Sequence, residues 1–547
     1  MTRSYLKASI ALAAAACAAA GQAQPPKLVR HGTAIQLKVQ GKPMLLLAGE
    51  LGNSSASSAA YMAPHWPRLK AMNLNTVLAP IQWDMIEPAE GRFDWSSVDR
   101  LIRDARAHDL RLVLLWFGAY KNSMSTYVPE WVKRDETRFP RAQRPNGTGV
   151  EILSAHAPDL QAADGRAFAA LMAHVRSIDE RQQTVVMTQV ENEIGMLPVA
   201  RDYGPLAEAA WRAPVPAELL RYLAAHRDSL VPELKQLWLD RGARESGSWA
   251  EVFGRGDAGE EVFTAWHYAR FAETLTRAGK AAYAMPMYVN VALNRPGRAP
   301  GEYPSGGPLP HLLDVWKAGA PSVDFIAPDI YFPNFSDIVD RYTRPDNPLF
   351  VPEANNADRF DVPANAFYAF GEKDAIGFGP FSIESIGDAG ADHPLAQAYD
   401  VLRQLTPHIL ANQGSERLTG FKPRFLYDGT MIYEPQVRTI GDYRFTISFA
   451  DIINPVAGPN TDKAGGLIVQ TGPEEYLIAG RNITVTMKPV GGTKNAAGIA
   501  SASEGHFDAN GAWIAGRHLN GDQTHQGRHV RLGDEWGIQK VRLYSYE

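Results

Sequence analysis

The chain has 547 residues, 45% of them hydrophobic, 10% aromatic and 21% charged, a balance that fits a globular protein and excludes a disordered tail or a fibre. Its length suits a large barrel with an appended domain better than one small module. With 55 basic against 60 acidic residues and a formal net charge of −5, nucleic acid is excluded as a first expectation for a partner.

Met1 to Lys7 carries Arg3 and Lys7, an alanine-rich apolar run extends from Ala8 to Ala20, and Gly21-Gln22-Ala23 sets small residues where a signal peptidase reads. Residues 1–23 are therefore expected to be a signal peptide cleaved after Ala23, with the mature protein periplasmic or secreted. The apolar run is short for a span, and no later stretch is long and uncharged enough, so no membrane insertion is expected once the leader is gone. The single cysteine, Cys17, lies in that leader. It is where a lipoprotein anchor would attach, but Ala14 stands where such signals carry leucine, so anchoring is not expected. The mature chain then has neither a disulfide nor a thiolate metal site.

A hairpin is expected next, Ala34–Val39 against Pro43–Ala48, with Gly41-Lys42 as its turn. Short apolar runs then alternate with amphipathic helical stretches. The runs are Met44–Ala48, Thr76–Ile81, Arg111–Phe117, Thr184–Val190, Met285–Val291, Val323–Ala327, Leu349–Val351 and Ala375–Phe381. Several are continuous Val/Leu/Ile runs, as strands buried on both faces are. Helical patterns lie between them, among them Pro64–Met72, Val98–His108, Gly165–Asp179 and Glu260–Ala278. An alternation repeated eight times gives an α/β fold, a (β/α)8 TIM barrel, over residues 27–412. The stretch Met196–Gly259 is longer than a connection needs and reads as a helical insertion on the catalytic face. After the helix Leu395–Asn412 the texture changes to short strands rich in Tyr, Ile, Val and Thr, separated by Gly, Asn and Asp. Residues 413–547 are expected to form a C-terminal β-sandwich domain.

Catalytic groups of such a barrel project from the C-terminal ends of its strands. Here those ends carry Glu50, Gln82-Trp83-Asp84, Trp116-Phe117 running into Tyr120-Lys121-Asn122, Glu191-Asn192-Glu193, Asn290, Asp329-Ile330-Tyr331 and Glu353. Carboxylates, amides and aromatic rings dominate, the set that binds sugars through their hydroxyls and C–H faces. Cleaving an acetal requires a proton for a poor leaving group and a nucleophile or activated water at the anomeric carbon, and two carboxyls in different environments supply both. Glu193 and Glu353 are the pair expected to do so, from strands four and seven across the barrel mouth. Asn192 is placed to reach the sugar 2-hydroxyl. Strict alternation would put Glu191 and Glu193 on one face and Asn192 on the other, so either the strand ends near Asn192 or a bulge re-aims it. Glu191 is expected to support the site rather than to catalyse. Glu87, before Pro88, is expected to fix a loop.

Gln189-Val-Glu-Asn-Glu-Ile-Gly195 resembles the acid/base motif of glycoside hydrolase family 35, the β-galactosidases of clan A, with Ile194 where tyrosine is usual. Leu349-Phe-Val-Pro-Glu353 resembles its nucleophile strand. Ile86-Glu87-Pro88 through Gly91-Arg-Phe-Asp94 is similar to another of its patterns, with Ile86 in a histidine's place, and Gly41-Lys42-Pro43 through Gly49-Glu50 to its opening hairpin and first strand. The resemblance covers roughly residues 34 to 400. It implies a retaining double displacement with Glu193 as acid/base, Glu353 as nucleophile and Tyr331 hydrogen-bonded to the nucleophile. After strand three, family members with lactase-type activity carry Gly-Pro-Tyr and Ala-Glu; this chain has Trp116-Phe-Gly-Ala-Tyr-Lys-Asn122. Lys121 and Asn122 are then candidates for the missing hydroxyl contacts, with Trp116 as a sugar platform and Asn290, Gln82 and Glu50 as further substrate ligands. The arrangement is closer to a bacterial branch that removes galactose from xyloglucan side chains and carries a C-terminal β domain.

Gly254-Arg-Gly-Asp-Ala-Gly259 matches a dinucleotide fingerprint as a string but follows no hydrophobic strand. His65, His267 and His311 lack metal-ligand spacing. No cofactor and no metal is expected, the partner is an oligosaccharide substrate, and the sequence leaves the oligomeric state open. The competing readings are another clan A β-glycosidase (a glucosidase, arabinosidase or endo-glycanase) and a carbohydrate-binding protein without turnover.

Overall fold

The computed structural model describes residues 24–450, 457–458 and 460–547. The expected signal peptide and Cys17 lie outside the described residues.

The chain enters through a three-stranded antiparallel sheet, Lys27–His31, Ala34–Val39 and Lys42–Met44. Its second turn is Gln40-Gly41, not Gly41-Lys42: Val39 pairs with Lys42, and Gln40 and Gly41 both have positive φ, 51° and 77°. A two-residue turn whose twist matches the flanking strands needs both central residues left-handed, and glycine adopts that conformation without penalty. Leu37 and Val39 pack with the barrel's interior side chains, so this sheet plugs one end of the barrel.

The eight expected strands are all present, as Leu46–Glu50, Thr76–Gln82, Arg111–Phe117, Val185–Gln189, Met287–Ala292, Phe325–Ile330, the broken pair Phe350–Val351 and Glu353–Ala354, and Gly377–Phe378. Every pairing is parallel, and Gly377 beside Leu46 closes the ring. Strand seven breaks at Pro352, which has no N–H to give the ladder. Its first half pairs with strand eight and its second half with strand six, which leaves Glu353 at the mouth. Leu46, Ala48, Leu78, Val113, Leu115, Phe117, Met187, Tyr288, Phe325, Ala327 and Phe350 fill the interior. The Tyr288 and Phe325 rings stack at 5.2 Å with Phe350 edge-on, a solid aromatic floor beneath the mouth.

Helices follow the strands around the outside. The two longest, Pro158–Asp179 and Asp257–Ala282, pack against each other. The first begins seven residues before the expected Gly165, because Pro158 with its fixed φ starts the helix. Four shorter helices, Pro205–Arg212, Ala217–Ala225, Pro232–Leu239 and Trp249–Val252, make up the insertion after strand four. Among the described residues no helix is long and apolar enough to cross a membrane.

Beyond the helix Pro394–Asn412 lies a β-rich region of two main antiparallel sheets, one of six strands and one of four. Phe445, Ile447 and Val485 from the smaller sheet meet Ile468, Tyr476, Ile478 and Val541 from the larger in one apolar cluster, so the two sheets pack as a sandwich. The 12-residue strand Ala496–Phe507, built largely of Ala, Gly and Ser, departs from the short Tyr-, Ile-, Val- and Thr-rich strands expected here and pairs with Trp513–His518. This region sits on the barrel helix Val362–Glu372: Phe367 stacks on Trp536 at 4.5 Å, and Gly371 lies so near Gly420 that a Cβ there would stand 2.8 Å from the Gly420 backbone.

Candidate active site

Strand four ends at Gln189, and the chain then turns through Glu191 (φ 59°) and Glu193 (φ 46°), both left-handed. A non-glycine residue held there costs about 1–2 kcal/mol. Alternation therefore stops before the acidic triplet. Glu191 turns outward to the next loop while Glu193 turns to the mouth.

The loop after strand three is tied down by two buried carboxyls. Asp164, from the long helix Pro158–Asp179, accepts from Trp116 Nε1 at 2.8 Å and from the Ala119 amide at 2.8 Å. Glu191 accepts from the Tyr120 amide at 2.7 Å. Between them a Cβ on Gly118 would stand 2.3 Å from Trp116 Nε1 and 2.7 Å from Glu191, so only glycine fits. Burial pushes both carboxyls above the usual carboxylate range, Glu191 well above, with each raised further by neighbouring negative charge. Trp116 is thus no sugar platform. It faces away from the barrel axis, 0% exposed, because Val113, Leu115 and Phe117 take the inward positions of its strand. Trp83 is equally buried and donates to Glu87 at 2.7 Å, while Glu87 also accepts from the Gly91 amide, tying its loop.

So anchored, the loop pairs Lys121 with Asn192 in a parallel bridge, and Lys121 Nζ donates to Asn192 Oδ1 at 2.9 Å. Asn122 donates to Glu193 Oε2, and the Ser123 amide donates to the Glu193 carbonyl at 3.1 Å. From strand five, Asn290 accepts from the Glu193 amide at 2.9 Å and donates to Asp329 Oδ2 at 2.6 Å. Tyr331 donates to Glu353 Oε2 at 2.5 Å. Glu193, Asp329 and Glu353 each bring an oxygen within 4.8 Å of the other two, close enough to share a cation. Glu50, at the end of strand one, completes the acidic group.

Carboxyls so crowded cannot all ionise. Burial and then the charge of Glu353 raise Glu193 to about 7, opposed by Lys121. Burial and the charge of Glu353 also hold Glu50 and Asp329 well above the usual range. Tyr331 is raised by burial and by the carboxyl it touches, so its phenol keeps its proton and remains a donor. Glu193 is thereby a carboxylic acid with a proton to give near neutral pH, beside the Glu353 side chain that the Tyr331 phenol fixes.

Two of the expected ligands are buried: Glu50 is 0% exposed and both of its oxygens lack a hydrogen-bond partner among the described residues, while Asn290 is 1% exposed and its amide is engaged in positioning Glu193 and Asp329. Asn192 is equally covered, but its Nδ2 has no hydrogen-bond partner. Gln82 lies to the side and donates to the Asn53 carbonyl at 3.1 Å. Asp329 was not among the expected site residues, although Phe325 and Ala327 point inward four and two residues before it, and the same alternation carries Asp329 inward. Asp164 had no such signal, being one acidic residue within a helix.

Residues 60–273 match a glycoside hydrolase 42 family model described as Beta-galactosidase, and residues 395–531 match a domain of unknown function, DUF5597. Over 111 residues the chain is 32% identical to a β-galactosidase of Xanthomonas manihotis, covering 20% of this chain and 18% of that protein. Similar solved structures include β-galactosidases of Rahnella sp. R3 (15% identity, TM-score 0.45, 66% of this chain and 56% of that one) and of Bacillus circulans sp. alkalophilus (14%, 0.44, 67% and 57%). The chain spans less than a fifth of the curated relative's length and less than three fifths of these two structures. The family model that matches is not that of family 35, whose motifs the sequence resembles, so the likeness common to both is to the β-galactosidases of clan A. The matched stretch holds Glu193, Lys121 and Asn122 and ends before Glu353.

Proposed function

We propose that this chain, β-galactosidase-like over residues 60–273, is an exo-acting retaining β-galactosidase that removes terminal galactose from plant oligosaccharides, xyloglucan fragments foremost. The observation that carries the reading is the pair Glu193 and Glu353, with oxygens within 4.8 Å and one member raised to about 7. Retaining enzymes hold their carboxyls about 5–5.5 Å apart and inverting ones about 6.5–9.5 Å, since inversion needs room for a water. Oxygens that approach within 4.8 Å are compatible with the shorter, retaining separation, and the anomer of the first product decides between the two.

In the first step Glu193 gives its proton to the glycosidic oxygen as that bond breaks, and Glu353 Oε attacks the anomeric carbon to form a glycosyl ester. In the second, Glu193, now ionised, takes a proton from water as the water oxygen displaces Glu353. Tyr331 fixes the attacking oxygen's carboxyl, and Asn192 Nδ2, a buried donor without a partner, is suited to a sugar hydroxyl.

We expect Glu193→Gln and Glu353→Gln each to lose several orders of magnitude in turnover of an aryl β-galactoside, with the β-anomer as the wild-type product. Activity persisting in Glu353→Gln, or an α-product, overturns the assignment. Digestion of galactosylated xyloglucan oligosaccharides, read as the mass loss of one hexose, tests the substrate. Another clan A β-glycosidase activity is the second reading, favoured by Lys121 and Asn122, whose donors are engaged by Asn192 and Glu193. A panel of aryl glycosides separates the two.

A further inference from the structure

Arg424-Phe-Leu-Tyr-Asp-Gly-Thr-Met-Ile432 sets an Asp-Gly pair between apolar residues, a hairpin signal. The structure bears it out: Arg424–Phe425 pairs with Met431–Ile432 as a separate two-stranded sheet belonging to neither large sheet of the C-terminal region. Its tip is closed by the Leu426 amide to the Thr430 carbonyl at 2.9 Å, the Gly429 amide to the Leu426 carbonyl at 3.0 Å and the Thr430 amide to Asp428 Oδ1 at 2.9 Å. Tyr427 stands on that tip.

So small a hairpin is not stable by itself, and here the barrel supports it. Arg424 forks onto Asp337 at 2.8 and 3.1 Å, Phe425 meets the Phe360 ring edge-on, and the buried Lys422 ammonium lies over Phe335 and Phe425 at 5.8 and 5.1 Å. Tyr427 itself packs at 5.2 Å on Phe332. Phe332 follows Tyr331, whose hydroxyl holds Glu353, so the hairpin tip reaches the rim of the catalytic mouth. After all this packing Tyr331 remains 39% exposed, Tyr427 40% and Phe360 38%. Tyr427, which meets Phe332, and Tyr331, which precedes Phe332 and bonds Glu353, leave open ring surface near the mouth, unlike the scattered exposure ordinary for single apolar residues.

We propose that Tyr427, braced edge-on at 61° against Phe332, offers the open ring face on which the sugar on the leaving-group side of the scissile bond stacks, so that the C-terminal region completes the substrate site. This rests on the galactosidase reading above. A galactosyl ring seated on Glu193 and Glu353 fills the narrow acidic floor, and what it is attached to has to leave across the rim. Apolar C–H faces of a sugar and open aromatic faces are the complementary pair there.

The test compares two substrates on Tyr427→Ala and Tyr427→Phe: β-galactosyl fluoride, which has no sugar on the leaving side, and an oligosaccharide with a terminal β-galactosyl residue. In Tyr427→Ala we expect the ratio of kcat/KM for the oligosaccharide to that for the fluoride to fall about fivefold or more, chiefly through KM. Tyr427→Phe keeps the ring and holds the ratio within about twofold of wild type. An unchanged ratio in Tyr427→Ala overturns the platform, whether both rates fall together or neither falls. Wild-type protein that hydrolyses neither compound overturns the galactosidase reading, and this inference with it.

Discussion

Replacing Glu353 with glutamine removes a charge from beside Glu193 while keeping the shape of the site. The two side chains bring oxygens within 4.8 Å of each other. At an effective dielectric constant of about 20, unit charges at that separation repel by about 3.5 kcal/mol, equivalent to about 2.5 pKa units. Burial is the larger cause of Glu193's raised value and the charge of Glu353 the second. Loss of a negative neighbour favours the ionised form, so the Glu193 ionisation should move down from about 7, by at least about one unit. Carboxyl-13C NMR of protein labelled at glutamate reads it, with Glu193→Gln identifying the resonance. A Glu193 titration that stays near 7 or rises in Glu353→Gln would refute the coupling. The same change accompanies the proposed reaction: once Glu353 is esterified it is neutral, Glu193 becomes easier to ionise, and the acid of the first step is prepared to be the base of the second.

In the wild type, kcat/KM should fall as pH rises through about 7, because Glu193 must be protonated to act as the acid. Lys121 lowers that value, so Lys121→Met should carry the alkaline limb upward even as the rate falls; a downward move contradicts the placement. Tyr331→Phe removes a 2.5 Å hydrogen bond to a carboxylate. Such a bond is worth about 1.5–3 kcal/mol, and kcat on an aryl β-galactoside should drop about ten- to a hundredfold; full activity refutes the role. Trp116→Ala should destabilise the fold by about 3–5 kcal/mol in chemical denaturation, since it empties a core position and strips Asp164 of a donor. A stability loss below about 1 kcal/mol, with KM selectively raised, would restore the sugar-platform reading.

The barrel was legible because its strands are buried on both faces, which leaves runs such as Leu112–Leu115 with no polar residue to confuse them. Ala496–Phe507 was not legible: its Ala, Gly and Ser residues have little strand preference of their own, and it is a strand because Gly537–Tyr546 and Trp513–His518 pair with it on either side. At the mouth, Glu193 and Glu353 stood out as acidic residues closing apolar strands. Trp116 misled because an aromatic residue at a strand end suits both wall and cleft, and only the alternation around it decides. The turning of Glu193 away from Glu191 rests on two left-handed backbone positions that no side-chain pattern announces. Asp164 acts through groups from distant parts of the chain, the Trp116 indole and the Ala119 amide, so its role exists only once the barrel has closed.

The account stands on Glu353 as nucleophile within reach of Glu193. A 2-deoxy-2-fluoro-β-galactoside with a good leaving group slows the second step more than the first, so the ester should accumulate. Mass spectrometry of the digested protein should then find one fluorosugar on the peptide containing Glu353, and none in Glu353→Gln. A label on any other residue, or no label together with an α-configured product, would contradict it.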